Sequence, residues 1–134
     1  MISVSDLEQV ATNRFEDAKC LLNGERFDGA VYLGGYALEI AFKVRLCRDA
    51  GRSDFPTDNN EFKLNSLKPW QTHKLNNLLS QCTLSIKGCV TNSLDWQVVG
   101  NHWNVEMRYS KSQITQDDAE DFLESVRLLV GVLQ

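Results

Sequence analysis

The stretch Asp28-Gly29-Ala30-Val31-Tyr32-Leu33-Gly34-Gly35-Tyr36-Ala37-Leu38-Glu39-Ile40-Ala41-Phe42-Lys43-Val44-Arg45-Leu46-Cys47 decides the fold class. Ala30, Leu33, Ala37, Ile40, Val44 and Cys47 step by three and four residues, the spacing of one face of an α-helix. Val31, Leu38, Phe42 and Leu46 cover much of the remaining circumference. A helix apolar on most sides belongs in the middle of a bundle, because a surface helix keeps one polar face for water. Asp28 can cap this helix and Gly51 can end it. Gly34-Gly35 is the odd feature, since a glycine inside a helix costs about 1 kcal/mol relative to alanine. Either the helix bends there or another group approaches the bare backbone, and close packing is the simpler explanation.

On the N-terminal side, Ser5-Asp6-Leu7-Glu8 has the capping-box spacing, followed by a stripe of Leu7, Ala11, Phe15, Ala18 and Leu22. Asn23-Gly24 supplies a left-handed stop. On the C-terminal side the periodicity dissolves into an irregular loop over about 52–72, rich in Asp, Asn and Pro. Within it Phe55, Phe62, Leu64, Leu67 and Trp70 suggest that parts pack back onto the bundle. His73 to Cys82 reads as a short third helix through Leu75, Leu78 and Leu79, and only Cys82 to Val90 could be extended. Thr91 or Ser93 can cap a fourth helix from Leu94 to about Met107, with Trp96, Val99 and Trp103 stepping along it and Gly100 weakening its continuity. Thr115-Gln116-Asp117-Asp118 places a cap and two carboxylates at the positive end of a final helix carrying Ala119, Phe122, Val126, Leu129 and Leu133. The expectation is one all-α domain over 1–134, an up-and-down bundle of four to five helices.

Composition limits the function classes. The 134 residues carry 43% hydrophobic and 24% charged side chains, close to the globular average, so disorder is excluded. A net charge of −4 excludes a generally basic, nucleic-acid-coating surface, so any polyanion would meet a local patch. The N-terminus shows no secretory pattern, and the longest uncharged apolar-looking stretch, Gly29 to Leu38, is far short of a membrane span. A cytoplasmic protein without a membrane partner is expected. Cys20, Cys47, Cys82 and Cys89 show neither Cys-x-x-Cys spacing nor a nearby His pair, so no metal or other cofactor is expected and they read as reduced core residues.

Few residues suggest chemistry. Glu39 and Lys43 stand four apart, the favourable ion-pair orientation, on an otherwise apolar helix. Buried, Glu39 would need a cation, which Lys43 or Arg108 could supply. The run Asn101-His102-Trp103-Asn104-Val105-Glu106-Met107-Arg108-Tyr109-Ser110 is the densest polar and aromatic cluster. There Arg108 could hold a phosphate and Tyr109 or Trp103 could stack a base, or the aromatics could anchor the core while Arg108 serves a helix end. His102 reads as a surface histidine, and His73-Lys74 opens the third helix. His73, His102 and Arg108 are the candidates for catalysis, but spacing assembles no complete catalytic set from them.

The order of these pieces resembles a known family. Phe15-Glu16-Asp17-Ala18, then Asn23-Gly24-Glu25-Arg26-Phe27-Asp28-Gly29-Ala30-Val31-Tyr32-Leu33, then Tyr36-Ala37-Leu38-Glu39-Ile40-Ala41-Phe42-Lys43 is similar to the first helical hairpin of the HEPN (higher eukaryotes and prokaryotes nucleotide-binding) family. His73-Lys74-Leu75 through Leu79 resembles the opening of that family's third helix, and Trp103 through Tyr109 followed by the Asp118 to Leu133 helix resembles its ending. The resemblance implies a helical bundle paired as a homodimer, of the kind found in prokaryotic toxin–antitoxin and abortive-infection modules beside a nucleotidyltransferase-like protein, and binding RNA or a nucleotide. RNA-cleaving members carry an Arg, four to six residues, then a His. Here Arg108 is followed by Tyr109 to Thr115 with no His, and His102 precedes it. The resemblance therefore implies a non-catalytic member whose cleft holds Glu39, Lys43, His73, Arg108 and Tyr109. Its rivals are a divergent metal-independent ribonuclease toxin and a purely structural protein-interaction subunit.

Overall fold

The computed structural model describes residues 1–104, 106–107 and 113–134. Among these the chain is mostly helical. A two-residue strand β1 (Ile2–Ser3) leads into α1 (Val4–Asn23) and α2 (Phe27–Asp49), and a second short strand β2 (Asp54–Phe55) follows. Next come α3 (Asn59–Leu64), a 3₁₀ turn (Lys68–Trp70), α4 (Leu75–Ser80), α5 (Leu84–Thr91), α6 (Leu94–His102) and α7 (Gln116–Leu133). The strands pair antiparallel, Ile2 opposite Phe55 and Ser3 opposite Asp54, which ties the chain's start to the segment after α2.

Helix α2 occupies the centre, with α1 and α7 packed along it and α6 lying against α7. The central position follows from its composition: Ala30, Val31, Ala37, Leu38, Phe42 and Cys47 are all essentially inaccessible. The deepest positions include Val31, Leu38 and Phe42, while Leu33 and Ile40 of the expected stripe are only half-buried. Phe42 meets Trp96 of α6 edge-on at 5.9 Å, and Phe122 and Leu129 of α7 are fully buried in the same core. Burying side chains of this size contributes roughly 1.5–3 kcal/mol each.

The double glycine is resolved by close packing. Helix α2 runs through both residues; a β-carbon at position 34 would lie 2.5 Å from Leu123 Cδ2 and one at position 35 would lie 2.0 Å from the Trp103 indole nitrogen. Trp103 Nε1 donates to the Tyr32 carbonyl oxygen at 2.9 Å. The glycines thus let α7 and Trp103 reach the α2 backbone, at the cost in helix propensity noted above.

Several boundaries differ from the sequence reading. Ser3, not Ser5, caps α1, accepting from the Asp6 amide at 3.0 Å. The strand pairing of Ile2 and Ser3 fixes that earlier start, and Glu8 is drawn away into an ion pair with Arg48. Gly24 is not left-handed (φ −86°); the left-handed residue is Glu25, at φ 61°. Asp28 does not cap α2; Arg26 takes the cap position without a side-chain bond, and Asp28 Oδ1 accepts from the Ile114 amide at 3.1 Å. Segment 52–72 is ordered into β2, α3 and the 3₁₀ turn, with Asp58 capping α3 and Phe55, Phe62 and Trp70 buried together. Leu64, by contrast, is exposed. Residues 84–91 form a helix capped by Thr83 rather than a strand. The expected third helix shortens to Leu75–Ser80, and the fourth, capped by Ser93, ends at His102 because Trp103 turns extended to reach α2. Seven helices among the described residues therefore replace the expected four to five, the additions being short ones with no long periodicity. Thr115 caps α7 as expected, accepting from the Asp118 amide at 3.2 Å. Two of the four cysteines, Cys20 and Cys89, are exposed rather than in the core.

Candidate functional site

Tyr32, Tyr36, Glu39 and Lys43 follow one another at four-, three- and four-residue steps, which puts them on one face of α2. The structure builds its polar centre on that face. Glu39 is only 2% exposed. Its carboxylate accepts from Lys43 Nζ at 2.9 Å, so the cation that a buried Glu39 requires is its own-helix lysine. Lys43 Nζ also sits 5.5 Å above the Phe55 ring, held there by the buried aromatic cluster after α2.

His73 completes the cluster from the segment before α4. Its Nδ1 lies 3.2 Å from Glu39 Oε2 and 3.3 Å from Oε1, while its side chain is 62% exposed. An ionised carboxylate can only accept, so Nδ1 carries the proton and Nε2 is the nitrogen available to a ligand. Tyr36 lies edge-on to His73 at 6.4 Å and to Trp103 at 5.8 Å, and its hydroxyl is 3.4 Å from that of Tyr32. A carboxylate, an ammonium, an imidazole and two phenols are thus fixed to one rigid helix and the chain beside it.

The cluster adjoins a cavity of about 760 Å³ between α4 and α6, whose walls include His73, Lys74, Trp96 and Trp103. That volume lies within the range of small-molecule sites. Its remaining walls are dominated by carboxamides from both helices.

Of the residues singled out in the sequence, Glu39, Lys43 and His73 converge. His102 ends α6 half-buried; the cavity wall passes from Asn101 to Trp103 without it, and it has no hydrogen-bond or ion-pair partner among the described residues. Arg108 and Tyr109 lie outside the described residues. Sequence reasoning named Lys74 only beside His73, Trp96 only as a helix-stripe residue and Asn101 and Asn104 only within the polar run, and it missed Asn76, Asn77 and Gln97, because nothing in two short helices shows that their faces meet. Tyr32 and Tyr36 were not singled out either, although their spacing to Glu39 is that of one helical face. Among the described residues no three His, Cys, Asp or Glu side chains cluster as a metal site, and no helix is long and apolar enough to cross a membrane. Comparison of the chain with protein families, with curated proteins and with solved structures finds no match.

Proposed function

We propose that this chain is a HEPN-like, non-catalytic domain that binds a nucleotide or RNA in the cleft between α4 and α6. One observation carries the reading: exposed His73, anchored on buried Glu39, stands at the mouth of a cavity walled by Trp96, Trp103 and carboxamides. The half-buried Trp96 indole offers a face on which a base can stack, carboxamides offer donor and acceptor pairs for base edges, and Lys74 offers a charge for phosphate. A local cleft also fits an acidic chain better than any extended basic surface would. In this reading the protein works in the cytoplasm as a homodimer, beside a nucleotidyltransferase-like partner. Titration with nucleotides and short RNAs, followed by tryptophan fluorescence, tests it. A saturable change that weakens in His73→Ala supports the reading, and no response to any of them removes it.

A second reading, metal-independent RNA cleavage, draws on the Glu39–His73 pair, since a carboxylate on Nδ1 orients an imidazole as a general base. Cleavage in EDTA that is lost in His73→Ala would establish it. Intact RNA would eliminate it.

A further inference from the structure

We infer that the α4–α6 cavity takes a single nucleoside monophosphate rather than a length of polynucleotide, an inference that rests on the nucleotide-binding reading above and narrows it. Five carboxamides line the cavity: Asn76, Asn77, Gln97, Asn101 and Asn104. Asn77 Nδ2 donates to Thr72 Oγ1 at 3.5 Å, and Asn104 Oδ1 accepts from the Glu106 amide at 2.9 Å. The side chains of Asn76, Gln97 and Asn101 are exposed and have no protein hydrogen-bond partner among the described residues. Each presents one donor group and one acceptor, the complement of a nucleobase edge. Trp96, steadied edge-on by Phe42, supplies the apolar wall beside them.

Charge sets the length of the ligand. Among the described residues, Lys74 is the one permanently cationic side chain in the lining, and Glu106 contributes a carboxylate. Lys43, just behind His73, is already neutralised by Glu39. A polynucleotide gains affinity by placing successive phosphates on successive cations, and the described residues of this lining offer one. The polar wall is instead rich in neutral groups that recognise a base and a sugar. One phosphate on Lys74 with the base between Trp96 and the carboxamides uses the lining's cation, its half-buried indole and the amides unpartnered among the described residues.

Calorimetric titration of the full chain with the four ribonucleoside monophosphates, their nucleosides and a short single-stranded RNA tests the inference, at salt concentrations of about 50 and 200 mM. At least one monophosphate should bind, with only a shallow dependence on salt, because a mononucleotide carries no condensed counterion atmosphere to release. Lys74→Ala should reduce its affinity roughly tenfold, toward that of the nucleoside. Gln97→Ala and Asn101→Ala should weaken monophosphate and nucleoside alike by several-fold. These exposed positions leave the core untouched, which the unfolding transition of each variant verifies. RNA binding far tighter than any monophosphate, with a salt slope several times steeper, would overturn the inference while preserving the nucleotide-binding reading. Monophosphate binding indifferent to all three substitutions would overturn the placement in this cavity. Failure of every nucleotide and of RNA to bind would overturn both readings.

Discussion

The indole of Trp103 occupies the space that Gly35 leaves empty: a β-carbon at position 35 would fall 2.0 Å from Nε1 and 2.1 Å from Cδ1. Those are atoms of a rigid ring whose nitrogen is tied to the Tyr32 carbonyl. At Gly34 the obstructing atom is the far end of the flexible Leu123 side chain. Gly88, in the middle of α5, has nothing within 4 Å. Gly35→Ala is therefore expected to destabilise the protein by about 1–3 kcal/mol in spite of its better helix propensity. Gly34→Ala should cost less, and Gly88→Ala should stabilise by about 0.5–1 kcal/mol. Urea unfolding of the three variants gives the order. Wild-type stability in Gly35→Ala would contradict the Trp103 packing.

The Glu39–Lys43 pair is nearly dry on both sides, with side-chain exposures of 3% and 12%. Lys43→Met leaves a buried carboxylate without its ammonium and should cost roughly 3 kcal/mol. Pairing it with Glu39→Met should recover much of that loss, because two apolar groups need no partner. His73→Ala should cost under about 1 kcal/mol, since its bond to Glu39 is made by a well-exposed ring. Chemical denaturation of the double-mutant cycle measures this coupling.

Acid stability should depend on Glu61. Hydrogen bonds from the Thr57 amide at 2.8 Å and from the Met1 ammonium at 2.9 Å hold its carboxyl down to about 2. A carboxyl lowered in the folded state stabilises it above the unfolded value near 4.3, and the contribution disappears as pH falls toward 2. Between those limits the melting temperature of wild type should fall more steeply than that of Glu61→Gln. Parallel curves would show that the clamp does not contribute.

Thiol chemistry should divide the cysteines into two pairs. Burial pushes the thiols of Cys47 and Cys82 up to about 11, whereas Cys20 and Cys89 are exposed. At mildly alkaline pH a thiol reagent should label Cys20 and Cys89 in the folded protein and reach Cys47 and Cys82 only on unfolding. Mass spectrometry of the labelled peptides identifies the sites. Labelling of Cys47 in the native state would place its environment in error.

The fold class and the centre of the candidate site were legible in different ways. The apolar circumference of 30–47 identified α2 as the central helix, since a helix with almost no polar face has nowhere else to go. The final helix and its Thr115 cap were equally plain, because a long stripe and a local side-chain-to-backbone bond are both written in adjacent residues. Glu39 and Lys43 were legible for the same reason, four residues apart on one helix. The short elements α3 and α5 were not, because six or eight residues carry too little periodicity and are held by the packing of Phe62, Ile86 and Val90.

By itself, then, the sequence determined that this is a helical protein built around α2, and that two glycines in that helix needed a reason. Only the tertiary structure decided what the reason was and which of the candidate residues meet. The Trp103 indole reaches Gly35 from a position far along the chain. His73 finds Glu39 across 34 residues. Helices α4 and α6 enclose a cavity that neither announces alone. Such contacts depend on how helices pack in space, and local propensity, capping and periodicity carry no information about them.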